Sequence, residues 1–111
     1  MYSDMIDQMT LGHQFLFREF GVRPKIGWHI DPFGHTNAHP ALMARMGFEG
    51  FFFARIDYED HALRNATQNL EFIWRGMRSY GTTADMFTGV FYRMSISNSN
   101  LLIFQRTLFI A

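Results

Sequence analysis

Apolar residues recur at helical spacing from Ser3 to Phe20: Met5, Ile6, Met9, Phe15, Leu16 and Phe20, with Leu11, and no proline breaks the run. The pattern predicts an amphipathic helix capped by Ser3 and stopped by Gly21. Asp4 and Asp7 fall in its first turn and Arg18 in its last, as the helix dipole favours. Pro24 then sets the chain extended. Lys25-Ile26-Gly27-Trp28-His29-Ile30 reads as a short strand ending at Asp31-Pro32, mostly apolar and therefore expected to be buried on both faces. Pro32, Gly34, Thr36, Asn37 and Pro40 predict a loop. Pro40 suits the first position of a helix running through Met43 to Met46, which Gly47 ends.

Phe51-Phe52-Phe53-Ala54, bounded by Gly50 and Arg55, reads as a second strand. The polar run from Asp57 to Asn69 predicts a loop and a short helix. Leu70-Glu71-Phe72-Ile73-Trp74 fits strand or helix, and Met86 to Phe91 reads as a further strand. Helix and strand in alternation predict an α/β fold with a parallel β/α architecture. Such folds place their chemistry at the C-terminal ends of the strands, where Asp31 and Arg55 both fall. Beyond Tyr92 the character changes to the small polar stretch 95–100 and the apolar run 101–110. The chain is therefore divided into a folded part, 1–92, and a divergent tail, 93–111, with no internal repeat.

Composition narrows the function. The 111 residues make one domain at most, and 48% hydrophobic with 17% aromatic residues is too apolar for a disordered segment. Ten Lys plus Arg balance ten Asp plus Glu, which argues against electrostatic capture of nucleic acid or of an anionic membrane. The absence of cysteine excludes a disulfide scaffold, a thiolate nucleophile and a Cys-based metal site. No apolar run approaches the ~20 residues of a membrane-spanning helix. The acidic start, Met1 to Asp7, does not read as a secretory signal.

The densest chemistry lies in Trp28-His29-Ile30-Asp31-Pro32-Phe33-Gly34-His35. On a strand, His29 and Asp31 would share a face and could ligate a divalent metal; alternatively Asp31 opens a turn before Pro32 and His29 packs. His35 and His39 form a second candidate metal pair, although Pro40 argues against a regular helix through His39. Arg55 could orient a carboxylate or sugar hydroxyls, or could form a rim ion pair with Asp57 or Asp60. Phe33 could wall a sugar site or belong to a core. His13 and His61 are expected to face solvent. Asn65-Ala66-Thr67 matches the N-glycosylation acceptor pattern.

Three strings carry a more specific signal: Asp7 to His13, then Gly27-Trp28-His29-Ile30-Asp31-Pro32-Phe33-Gly34-His35-Thr36, then Met46 to Tyr58. With Glu71 to Gly76 and Met86 to Tyr92, they closely resemble the glycoside hydrolase family 38 α-mannosidases of lysosomal type over residues 4–92. The resemblance implies a fragment of the parallel β/α barrel that forms the N-terminal catalytic domain in that family. It implies zinc-dependent, retaining hydrolysis of terminal α-mannose on an oligosaccharide or glycoprotein glycan, and a lysosomal location for the parent family. It implies that Asp31 is both nucleophile and Zn2+ ligand, that Phe33 lines the sugar pocket and that Arg55 reaches into the active site.

By the same resemblance, the other zinc ligands and the acid/base Asp are expected outside this chain, so the isolated chain is expected to be catalytically incomplete. Family members usually carry an uncharged residue other than His at position 29, and the tail after Tyr92 departs from the family pattern, as a gene-model artefact would. The rival expectation is a non-catalytic metal- or carbohydrate-binding remnant using His29, Asp31, His35 or His39.

Overall fold

The computed structural model describes residues 2–92. Its elements run α1 (Tyr2–Phe20), β1 (Ile26–His29), α2 (Ala38–Arg45), β2 (Gly50–Phe53), α3 (Tyr58–Ala66), β3 (Glu71–Arg75), a 3-10 segment (Arg78–Ala84) and β4 (Asp85–Val90). Every segment expected to be regular is present, and the segment that fits strand or helix is a strand over Glu71–Arg75. The tail expected at 93–111 lies outside the described residues.

The four strands form one sheet in the order β1-β2-β4-β3. β1 pairs with β2, and β2 with β4, in parallel, so that His29, Phe53 and Val90 lie in one row at a common C-terminal edge. β3 pairs antiparallel with β4, from Glu71 opposite Gly89 to Arg75 opposite Asp85. The sheet is therefore mixed, which corrects the all-parallel expectation. The cause is the connection: residues 76–84 fold back through a 3-10 segment, and a link of that kind returns a neighbouring strand antiparallel. A parallel return needs a longer crossover.

One sheet face carries the core. Phe51, Phe53, Met86 and Val90 are buried together with Met43 of α2, Phe48 and Leu70, and Trp74, Phe72 and Met9 pack against them. On the opposite face lie Phe52, Phe87 and Ile73, and there Phe87 is 44% and Ile73 60% exposed. Phe52 fits because its partner across the ladder is Gly89, where a Cβ would come within 2.6 Å of the Phe52 ring. β1 is an edge strand with only Gly27 buried, so the expectation of burial on both faces fails.

Helix α1 starts at Tyr2, which puts Ser3 inside the first turn and Asp7 in the second. At its end Gly21 takes φ 69° and its N–H bonds to the Phe17 carbonyl at 2.9 Å, a left-handed stop that glycine adopts freely. None of α1 is fully buried, and Leu11, Phe15, Phe17 and Phe20 are exposed. α2 begins at Ala38, two residues before Pro40, so His39 is helical despite the proline. The third helical N–H has no intrahelical acceptor, so proline sacrifices no hydrogen bond there.

Candidate active site

The parallel pairing of β1 with β2 brings the residues that follow each strand side by side. Asp31 follows β1 by two positions and Arg55 follows β2 by two. Arg55 Nε donates to Asp31 Oδ1 in a close ion pair, each side chain 46% exposed. The Arg55 guanidinium also lies 5.8 Å from the centre of the Phe33 ring, itself 90% exposed. Asp31 and Arg55 at the strand ends and Phe33 in the following loop thus converge on one open corner of the sheet.

His35 holds that corner from below. Its Nε2 is 2.8 Å from the Arg55 carbonyl, and its ring packs against Phe53 at 4.6 Å between centroids. The Gly34 backbone, at φ 142°, lets the loop turn from Phe33 into His35. The sequence offers His35 as a metal candidate, but the structure uses its ring to anchor the Arg55 backbone, a role that sequence reasoning does not reach. The signal for it is long-range, a side chain bonded to a carbonyl twenty positions away.

The rim alternative for Arg55 does not hold. Asp57 caps α3, accepting from the N–H groups of Glu59 at 3.0 Å and Asp60 at 3.1 Å, and Asp60 pairs with Arg64 at 2.9 Å. Nor do His29 and Asp31 act together. The strand ends at His29, so the alternation that would align them stops there; His29 turns to His39 and Phe51 while Asp31 turns to Arg55. His35 and His39 do not share a helix face, because α2 begins only at Ala38. Among the described residues, no group of three or more His, Cys, Asp or Glu side chains could hold a metal ion. The described residues therefore do not by themselves supply the three or four ligands of a catalytic or structural zinc centre.

A cavity of about 240 Å³ lies behind the corner, lined by His29, His35, His39, Phe51, Trp74 and Gln8 among others. Burial pushes the His39 imidazole down to about 4, helped by the neighbouring His29 and His35; His29 is lowered first by burial and then by His35. Trp74 Nε1 donates to Asn37 Oδ1 at 3.1 Å, tying β3 to the start of α2. His13 and His61, expected in solvent, are half-buried. His13 stacks on Phe48 at 5.0 Å and bonds to the Pro24 carbonyl at 2.9 Å, and His61 reaches the Phe91 carbonyl at 2.9 Å. Asn65 is exposed in the last turn of α3, with the Thr67 hydroxyl donating to the Leu63 carbonyl at 2.8 Å.

Comparison with known proteins places the chain in a family. Residues 1–107 match the family model described as glycosyl hydrolases family 38 N-terminal domain. The chain belongs to glycosyl hydrolase family 38. It is 55% identical over 93 residues to an alpha-mannosidase of Arabidopsis thaliana, covering 83% of this chain and 9% of that protein. The lysosomal alpha-mannosidase of Bos taurus is 50% identical over 96 residues, 84% of this chain and 10% of the relative. That of Homo sapiens is 50% identical over 92 residues, 80% and 9% respectively. The chain spans about a tenth of the length of these curated family 38 relatives. Among the described residues no helix is long and apolar enough to cross a membrane.

Proposed function

We propose that this chain is the nucleophile-bearing segment of an α-mannosidase that acts on terminal α-mannose of oligosaccharides and glycoprotein glycans. The observation that carries the reading is the convergence of Asp31, Arg55 and Phe33 at the shared C-terminal edge of β1 and β2, within a chain of family 38. In this reading Asp31 attacks the anomeric carbon and the glycosidic C–O bond breaks. The departing oxygen takes a proton from an acid outside the described residues. Water then attacks the glycosyl ester, gives its proton to the same residue, and frees Asp31. Retention needs the two carboxyl groups ~5–5.5 Å apart. Asp57 already accepts two N–H groups of α3 at Oδ1.

Arg55 fixes the orientation of the Asp31 carboxylate and offers its remaining N–H donors to sugar hydroxyls. Phe33, exposed beside it, is placed to stack on a sugar ring. Zn2+ belongs to the proposal for the whole enzyme, with Asp31 the ligand this segment contributes and the others outside it. Lysosomal relatives support a lysosomal parent. An exposed Asn65 supports its use as a glycan acceptor in a protein that enters that route.

The test is paired. The 111-residue chain, supplied with zinc and an aryl α-mannoside, is expected to show no turnover. A full-length family 38 enzyme carrying this segment is expected to lose activity by at least 10³-fold on Asp31→Asn, as removal of a covalent nucleophile does. Turnover by the isolated chain that Asp31→Asn abolishes would overturn the fragment reading. Full activity of the Asp31→Asn enzyme would overturn the assignment of Asp31.

A further inference from the structure

The cavity behind Asp31 and Arg55 contains chemistry that the proposed hydrolysis does not use. His29, the last residue of β1, and His39, the second of α2, bring their imidazole rings to 5.0 Å between centroids with 40° between planes. Both rest on Phe51, at 5.1 and 5.0 Å. His39 Nε2 is buried and has no hydrogen-bond partner. A buried ring nitrogen without a partner costs about 1–3 kcal/mol, so something with a vacant orbital or a proton to donate is favoured beside it.

Two imidazoles that share one ion through nitrogens at ~2.0–2.1 Å, at a tetrahedral angle, have centroids about 5 Å apart. The observed centroid spacing is 5.0 Å. A neutral imidazole presents one ring nitrogen with a free lone pair, which is the form that binds metal. His35, the third ring of the cavity, is engaged at Nε2 by the Arg55 carbonyl and does not join them. Asp31 is bound to Arg55 and does not line this cavity.

We propose that His29 and His39 form a two-imidazole binding site for a transition-metal ion of the Zn2+, Ni2+ and Cu2+ class, separate from Asp31, with water completing the coordination. Nitrogen ligands alone, with no carboxylate or carbonyl ring around them, select this class over Ca2+ or Mg2+. Two protein ligands rather than four set a weaker affinity than that of a closed structural site. The competing occupant is a bound water that donates to His39 Nε2.

The experiment titrates the 111-residue chain with Zn2+ and Ni2+ by calorimetry, and with Cu2+ by electron paramagnetic resonance. Binding of one ion per chain is expected, with two nitrogen couplings in the copper spectrum. His39→Gln and His29→Gln are each expected to weaken it by about 30-fold or more, while Asp31→Asn changes it by less than twofold. Circular dichroism of each variant shows whether the sheet is retained. No binding by the wild-type chain below 1 mM overturns the site, leaving water as the occupant. So does binding that survives both histidine variants, or binding that Asp31→Asn removes.

Discussion

Arg55 Nε donates to Asp31 Oδ1 across the ends of two adjacent parallel strands, joining residues 24 positions apart. Both side chains are about half exposed, and an ion pair in that setting contributes ~0–1 kcal/mol to stability. Its value is therefore in orientation. Arg55→Met is expected to lower the melting temperature of the chain by no more than a few degrees. In a full-length enzyme carrying this segment it should lower kcat/KM by about 10- to 100-fold, the loss of one charged hydrogen bond of ~1.5–3 kcal/mol. Melting curves and steady-state kinetics on an aryl α-mannoside check the two halves separately. A large drop in stability with unchanged kinetics would make the pair structural.

Gly76 and Gly12 make an opposed pair. A Cβ on Gly76 would collide with the Asn37 carbonyl and come within 3.2 Å of the Pro40 ring, at the junction where β3 leaves toward the 3-10 segment. Backbone cannot yield there as a flexible side chain could. Gly76→Ala is expected to destabilise the chain by about 1–3 kcal/mol. A Cβ on Gly12, in the middle of α1, meets nothing within 4 Å. Gly12→Ala should stabilise the helix by about 0.5–1 kcal/mol through lower backbone entropy. At roughly 4–8 °C per kcal/mol for a domain of this size, thermal melts resolve both signs.

Asp57 anchors the turn between Arg55 and α3. Its carboxylate takes the N–H groups of Glu59 and Asp60, two donors that the helix itself leaves unpaired. Asp57→Ala is expected to cost ~1 kcal/mol, and Asp57→Asn considerably less because the amide oxygen still caps. Amide hydrogen exchange checks the location: protection should fall in the first turn of α3 and be unaffected in β1.

How much of this could be read from the sequence follows from the range of each interaction. β1 and β2 were legible because Pro24, Pro32, Gly50 and the Phe51 to Ala54 run are local signals, and the placement of Asp31 and Arg55 at strand ends came with them. The direction of β3 was not, since it depends on how residues 76–84 fold back rather than on the strand's own residues. The partners of Arg55 and His35 depend on long-range pairing in the same way. Asp57 and Asp60 are near Arg55 in sequence, yet each has a stronger local role within α3, and the true partner arrives through strand pairing. His13 and His61 sit among polar neighbours in the chain, but their ring nitrogens find carbonyls 11 and 30 positions away. Side chains that serve distant backbone leave no periodic trace.

The acid limb of stability offers a last measurement. Arg75 and Asp85 face each other where β3 meets β4, with Nε to Oδ1 at 2.8 Å and Nη2 to Oδ2 at 2.7 Å. The two hydrogen bonds hold the Asp85 carboxyl below its ordinary value of 3.8. Above 3.8 the carboxylate is charged in both folded and unfolded chains, and the contribution is fully present. Below it the unfolded chain takes up its proton first, so stability is lost as pH falls toward the folded-state value. Thermal melts from pH 6 to pH 2 should therefore show a steeper decline below pH 4 in the wild-type chain than in Asp85→Asn, whose amide does not titrate. At neutral pH the variant should be the less stable of the two, and the difference should narrow as the pH approaches 2. Parallel curves over that range would mean that the pair adds nothing to the joining of β3 and β4.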